Sequence, residues 1–233
     1  MGGGYILSKQ LSFYGGSEII GFSNSNLKVL EINRKLADSI IIKNHYSKKV
    51  VVVGHHKIDL GIFINDELIG VLQYGYVMNP ISCKNIVKGT MQNQYLELNR
   101  MWLDDSAPKN SESKAISYSI KFIRGKYPKI KWIQSFADER CGGFGIVYQA
   151  ANFNYYGEHY SIFWNLNGEF IHNSRFTNTN KKSNSRYEYY RANKHLAKKI
   201  ELRQFRYIFF IDKRWKNRCL LNECVYPKHY KND

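Results

Sequence analysis

Apolar residues at Leu27, Leu30, Leu36, Ile40 and Ile41 recur at roughly helical spacing and run into the polar cluster Asn44-His45-Tyr46-Ser47, which predicts a helix ending there. Residues 58–64 and 68–77, joined by Asn65-Asp66-Glu67, read as a hairpin of two well-filled strands. A third strand is expected over 95–103, and strict alternation along it puts Glu97, Asn99 and Met101 on one face and Leu96, Leu98, Arg100 and Trp102 on the other. After a polar loop, Ile116, Ile120 and Ile123 define a helix capped by Asn110 or Ser111 and stopped by Pro128. A strand over 131–137, a glycine-rich turn, a short helix over 146–151 and strand-like runs at 153–157 and 161–166 follow. This order predicts an α/β domain, a central mixed sheet flanked by helices.

Residues 173–185 are nearly devoid of apolar side chains and read as a flexible polar loop. Beyond it a basic helix over 186–203 and an aromatic strand over 205–212 are expected. The chain thus divides into an N-terminal segment (1–26), a main domain (27–172), the loop (173–185) and a basic C-terminal segment (186–233) that packs on the same domain.

Charge changes the picture more than any other bulk property. The chain carries 35 Lys and Arg against 19 Asp and Glu, a net +16, and residues 170–233 hold 16 basic and 5 acidic side chains. Lys and Arg interleaved with Tyr187, Tyr189, Tyr190, Phe205 and Tyr207 suit phosphates and bases, so nucleic acid is the expected partner. A 43% hydrophobic and 15% aromatic composition excludes a disordered chain, and no apolar run is long enough to cross a bilayer. The opening MGGGYILSKQ lacks a signal-peptide pattern, and Cys83, Cys141, Cys219 and Cys224 form no standard metal or disulfide spacing, so reduced thiols in a cytoplasm are expected.

Three constellations could carry chemistry. The loop entering the helix near Ser111 offers a helix N-terminus, with Asn110, Ser111 and Ser113 adding donors for a phosphate, although every capped helix looks alike. Asp138 stands at the end of a strand before a glycine-rich turn, where carboxylates commonly face a crevice; Tyr148, one turn into the next helix, is either a proton donor or a core aromatic. His45 could act as a base, serve as a metal ligand, or simply favour a helix C-terminus as a cation.

The element order resembles the GNAT acyltransferase fold, in which a coenzyme A thioester sits between two parallel strands that part, although the usual Q/R-x-x-G-x-G/A loop is missing. Four segments further resemble the phage Mom-type adenine modification proteins, a divergent branch of that fold: Asn44-His45-Tyr46-Ser47; Glu97 to Trp102 with Ala107 to Ser113; Phe136-Ala137-Asp138 with Gly142 to Phe153; and Phe205 to Phe210 with Tyr226-Pro227-Lys228. The resemblance implies a phage-encoded enzyme of the host cytoplasm that transfers a carbamoylmethyl-type group to N6 of adenine in double-stranded DNA and so protects phage DNA from restriction. It implies His45, Tyr46, Ser47, Asp138 and Tyr148 as catalytic residues, and Tyr74, Glu97, Asn99 and Arg100 at the substrate. Asn110, Ser111, Glu112, Ser113, Gly142, Gly143 and Gly145 would meet a donor of the coenzyme A thioester type, or another acyl or glycyl-type donor. A His is expected in the family where this chain has Gly143. Lys181, Lys182, Arg186, Arg191, Lys198, Lys199 and Arg203 are the candidate DNA contacts, and His45, Tyr46 and Asp138 could hold iron. An N-acyltransferase acting on protein, tRNA or a small amine, and a basic nucleic-acid-binding protein without activity, are the competing expectations.

Overall fold

Leu27 and Val29 are fully buried while the residues alternating with them are less so. That period of two belongs to a strand, so the start of the expected helix is instead β2 (Leu27–Glu31), paired antiparallel with β1 (Ile19–Ile20) and β3 (His56–Ile64). Asn33 then opens α1 (Arg34–Asn44), its side-chain oxygen accepting the Lys35 N–H at 2.8 Å. The computed structural model describes residues 19–20, 26–51, 54–77, 79–141, 143–173, 176 and 185–227. The expectations for Gly142, Lys181, Lys182, Lys228 and most of segments 1–26 and 173–185 lie outside the described residues.

The remaining strands are β4 (Glu67–Gly75), β5 (Tyr95–Leu103), β6 (Trp132–Asp138), β7 (Asn154–Leu166), β8 (Glu169–His172) and β9 (Lys198–Phe210). Among the described residues they form one nine-stranded sheet in the order β1-β2-β3-β4-β5-β6-β9-β7-β8, so the chain is a mixed α/β fold. Among the described strands only β5 and β6 pair in parallel, and their pairing stops at Glu97 opposite Gln134, although both strands continue. A cleft opens where they part.

α2 (Ser111–Lys126) and the short α3 (Ile146–Ala150) cover one face of the sheet, with Ala115, Ile116, Ile120 and Ile123 packed against Leu72, Leu96 and Leu98. α1 covers part of the other through Ala37 and Ile41 against Val71 and Trp102. No helix among the described residues is long and apolar enough to cross a membrane.

Three further expectations change. The runs at 153–157 and 161–166 are a single strand, β7, with an irregularity in its pairing to β9 between Tyr155 and Glu158. The expected basic helix over 186–203 ends early: α4 (Ser185–Ala192) gives way to β9, because the chain from Lys198 onward pairs with β7 on one side and, from Gln204, with β6 on the other. Burial on both faces follows, with Phe205 and Tyr207 in the core under α2 and α3, and Ile208 and Phe210 in the opposite one. These rings therefore build the interior, the role expected of a buried strand here, and of the aromatics interleaved with the basic residues only Tyr189 is substantially exposed.

The third change concerns β5. Its register against β4 passes from Tyr74 opposite Leu98 to Gln73 opposite Arg100, so Asn99 is an extra residue in a β-bulge. The alternation shifts there: Leu96, Leu98, Met101 and Leu103 pack on the α2 side, while Trp102 packs on the α1 side. The bulge breaks strict alternation and parts Arg100 and Trp102 from Leu96 and Leu98, with which they were expected to share a face.

Candidate active site

The cleft between the ends of β5 and β6 holds a cavity of about 430 Å³, and His45, Tyr46, Arg100, Asp138, Gly145 and Tyr148 are among its lining residues. Asn99, Glu112 and Gly143 line it as well. A second cavity, about 490 Å³, opens beside Leu96 at the other end of β5 among Lys57, Tyr76, Lys126 and Tyr127, and it contains none of the candidate residues.

His45 terminates α1, its backbone N–H still bonded to Ile41 O at 3.0 Å. Its ring is buried, and Nδ1 accepts the Ser47 backbone N–H at 3.1 Å, with the Ser47 hydroxyl 2.8 Å away. An Nδ1 that accepts leaves the proton of the neutral ring on Nε2. Burial, then the nearby Arg100 and Arg140 guanidiniums, lower its pKa from 6.5 to about 4. His45 is thus a neutral imidazole with an Nε2–H donor, rather than the helix-end cation or the base that its position in sequence allowed.

This has a measurable cost. The unfolded ring takes up a proton as pH falls through 6.5, whereas the folded ring resists until about 4. Stability should therefore fall across that window by up to about 3 kcal/mol and then level off. Urea denaturation of wild type and His45→Gln at neutral and mildly acidic pH checks it: the variant should lose less stability on acidification.

Asp138 closes β6 and is almost fully buried. Burial alone would raise its carboxyl, but Arg140 outweighs that and holds it below the usual carboxylate range. The Nε–H and backbone N–H of Arg140 each reach Asp138 Oδ1 at 3.0 Å, and a second guanidinium N–H meets Oδ2. Tyr46 brings its hydroxyl to 3.5 Å from Oδ2, and burial together with the Asp138 charge raises its pKa. Tyr148, on α3, has its phenol pushed up to about 12 by burial, against the hydrogen bond it shares with Ser135. Ser135 in turn donates to Leu98 O at 3.1 Å across the point where the strands part.

Other expected residues fall elsewhere. Ser47 does not line the cavity but fixes His45. Tyr74 is fully buried, its hydroxyl shared with Ser119 of α2, so it is a core residue rather than a pocket aromatic. Glu97 is turned into the sheet, accepting from Asn99 Nδ2 at 2.8 Å and Gln134 Nε2 at 2.9 Å, and burial pushes its carboxyl up. Asn110 precedes α2 at φ 70° without a side-chain cap; the Ser111 backbone N–H is taken by Pro108 O, and the Ser113 hydroxyl donates to Asn110 O, so Ser113 does not offer the donor expected of it. The backbone N–H groups of Glu112 and Ser113 stay available as in any first helical turn.

Among the basic residues, Arg186 pairs with Glu169, Lys199 with Glu201, and Arg203 with Glu139, while Arg191 donates to its own helix at Tyr187 O. Lys198 is exposed at the start of β9. Sequence reasoning assigned no role to Arg140 and Ser135. A carboxylate followed two residues later by an arginine is too common to signal anything, and a serine inside a strand gives no sign of which neighbour it bridges.

The trio proposed for iron does not fit a metal. His45 Nδ1 is already an acceptor, Asp138 is engaged by Arg140, and the raised pKa of Tyr46 disfavours the phenolate a metal would bind. No group of three or more His, Cys, Asp or Glu side chains is placed to hold a metal among the described residues.

Comparison with known proteins places the chain. Two solved structures are similar at low identity: a RimL ribosomal L7/L12 alpha-N-protein acetyltransferase in complex with coenzyme A (TM-score 0.45, 14% identical, covering 84% of this chain and 99% of that one), and an uncharacterized protein from Bacillus halodurans (TM-score 0.49, 10% identical, 86% and 94%). The chain is 44% identical over 226 residues, 96% of its length and 92% of the relative's, to the methylcarbamoylase Mom of Escherichia phage Mu. Residues 26–228 match the model of the Mom protein family, a span that contains every residue of the cleft. The chain belongs to the Mom protein family.

Proposed function

We propose that the protein is a phage DNA-modifying transferase that places a carbamoylmethyl-type group on N6 of adenine in double-stranded DNA. The observation that carries this reading is that His45, Tyr46, Asp138 and Tyr148 converge on one cavity, in a chain 44% identical to a protein named methylcarbamoylase.

The residues divide the work by their protonation states. The N6 amino group is a poor nucleophile, with its lone pair drawn into the ring. Asp138, ionised and fixed, accepts a hydrogen bond from N6–H and orients the nitrogen. As the N6–carbon bond forms and the bond from that carbon to its leaving group breaks, the nitrogen becomes cationic and strongly acidic. A weak base then suffices, and Asp138 takes the proton that a neutral amino group would not yield to it. The Tyr148 phenol, protonated at any physiological pH, gives its proton to the leaving group. The His45 Nε2–H is suited to bind the carbonyl oxygen of the transferred amide.

A donor of the coenzyme A type would supply the activated group if its leaving group sits on the methylene that bonds to N6; a thioester attacked at its carbonyl would leave an acyl group there instead. From Asn99 onward β5 has no paired strand on the β6 side among the described residues, and such an edge is satisfied by an extended, amide-bearing ligand. The residues fit that arm. At the phosphate end the fit rests on the first turn of α2, where Glu112 opposes an anion. We further read the exposed Lys198 and the basic C-terminal segment as contacts to the DNA backbone, with the adenine extruded into the cavity.

Nucleoside mass spectrometry of plasmid DNA from cells expressing the wild type or Asp138→Asn tests this. The expected result is a deoxyadenosine heavier by one carbamoylmethyl group replacing one hydrogen, present with the wild type and lost with the variant. Unchanged nucleosides from well-expressed wild-type protein would overturn it.

A further inference from the structure

Arg140 lies two residues past Asp138 and is not among the residues that line the cavity. It meets the carboxylate from behind, with three different N–H groups on two oxygens. The pair is well shielded, 24% exposed at the Arg140 side chain and 7% at Asp138. A bidentate fork fixes the plane of a carboxylate, which a single contact does not.

The guanidinium is itself held by rings from three separate parts of the fold. Phe163 of β7 lies 4.6 Å away, Tyr46 at the end of α1 lies 5.4 Å away, and Phe170 of β8 lies 5.6 Å away, measured to the ring centroids. A second contact accompanies this one: Lys49 Nζ donates to Phe170 O at 3.3 Å and lies 3.8 Å from Glu169. The ribbon formed by β7 and β8 therefore reaches the segment that carries His45 and Tyr46 twice, once through Arg140 and once through Lys49.

From this arrangement we infer that Arg140 is the positioning residue of the reaction: it sets the plane of the Asp138 carboxylate, keeps the Tyr46 ring beside it, and makes both depend on the β7–β8 ribbon. The inference rests on the reading that Asp138 contacts the adenine. It assigns a part in catalysis to a residue outside the cavity, and through Phe163 to a strand that contributes nothing to the lining.

The groups that act on Asp138 are Arg140, Cys141 and Glu139 from its own loop, Tyr46 beyond α1, Arg100 from β5 and Gln204 from β9. Arg140 and Arg100 are the cations of this set. Without Arg140, burial is opposed chiefly by the hydrogen bond from Gln204, so the Asp138 carboxyl must protonate at higher pH.

The test is the pH profile of DNA modification for wild type, Arg140→Gln, Arg140→Lys and Phe163→Leu, together with the Asp138 carboxyl titration followed by carbon NMR. In Arg140→Gln the rate should drop about tenfold to a hundredfold, and both the acidic limb and the carboxyl titration should move to higher pH by about one unit or more. Arg140→Lys should keep the limb near its wild-type position while the rate stays low, because charge returns without the fork. Phe163→Leu should slow the reaction with little change in the limb. If Arg140→Gln fails to fold, the Lys and Leu variants carry the test, and wild-type rates in both would overturn the inference. A folded Arg140→Gln with the wild-type rate and limb, while Asp138→Asn is inactive, overturns the role of Arg140 alone. Full activity in Asp138→Asn overturns the reading beneath it as well.

Discussion

Tyr148→Phe is expected to lower the rate of DNA modification by about 10²- to 10⁴-fold, the range of a lost general acid, with folding nearly intact. The substitution removes one oxygen and keeps the ring that packs 5.7 Å from Phe153 and 5.4 Å from Tyr207. The Ser135 hydroxyl loses one neighbour but retains Leu98 O as its acceptor, so the stability cost should be about 1 kcal/mol or less. Initial rates by nucleoside mass spectrometry, beside DNA affinity and a melting curve, separate the effects. A folded, DNA-binding Tyr148→Phe protein with full activity would remove Tyr148 from the mechanism and leave the leaving group to water or another donor.

The second large effect is on the fold. Gly145 sits at φ 82°, and a Cβ there would lie 2.5 Å from the Tyr207 ring and 3.1 Å from Ala137 Cβ. Tyr207 cannot easily give way, because its hydroxyl bonds Phe144 O and accepts from Gln149 Nε2 at 3.0 Å, clamping the turn on both sides of Gly145. Gly145→Val joins a β-branched residue at positive φ to overpacking of a core ring, so a loss of about 3 to 5 kcal/mol is expected, a large share of a typical domain's stability. Gly143→Ala is the control: its nearest atom would be 4.0 Å away, and a change within about 0.5 kcal/mol is expected. Urea midpoints of the two variants decide it. Equal midpoints would mean that the turn relaxes to admit a side chain at Gly145.

Much of this could be read from the residues. The hairpin, β5, α2, β6 and the turn into α3 were legible because each has one clear period bounded by turn residues, and the residues that meet in the cleft come largely from strand and helix ends that these periods define. The misreadings have physical causes. Leu27 to Glu31 reads as helix because Leu27, Leu30 and Leu36 also satisfy a spacing of three to six, and the alternation of Leu27 with Val29 is too short to compete. Lys198 to Arg203 looked helical because its charges suited a solvated face; only pairing to β7 reveals the strand. The bulge at Asn99 and the grip of Arg140 on Asp138 depend on where neighbouring strands stop, which no local pattern encodes.

The place of β9 between β6 and β7 has a consequence for the history of each molecule. Asp138 pairs with Gln204, and the Phe163 and Phe170 rings reach Arg140 from strands that join the sheet only through β9. While the ribosome is still making residues before Lys198, β6 has an open edge and the ribbon has nothing to dock on. The wall behind Asp138 is therefore a late product of synthesis, closed by long-range pairing that is slow to form. A nascent chain would carry both edges of the cleft before it carried the wall behind Asp138, which closes only with the last described strand.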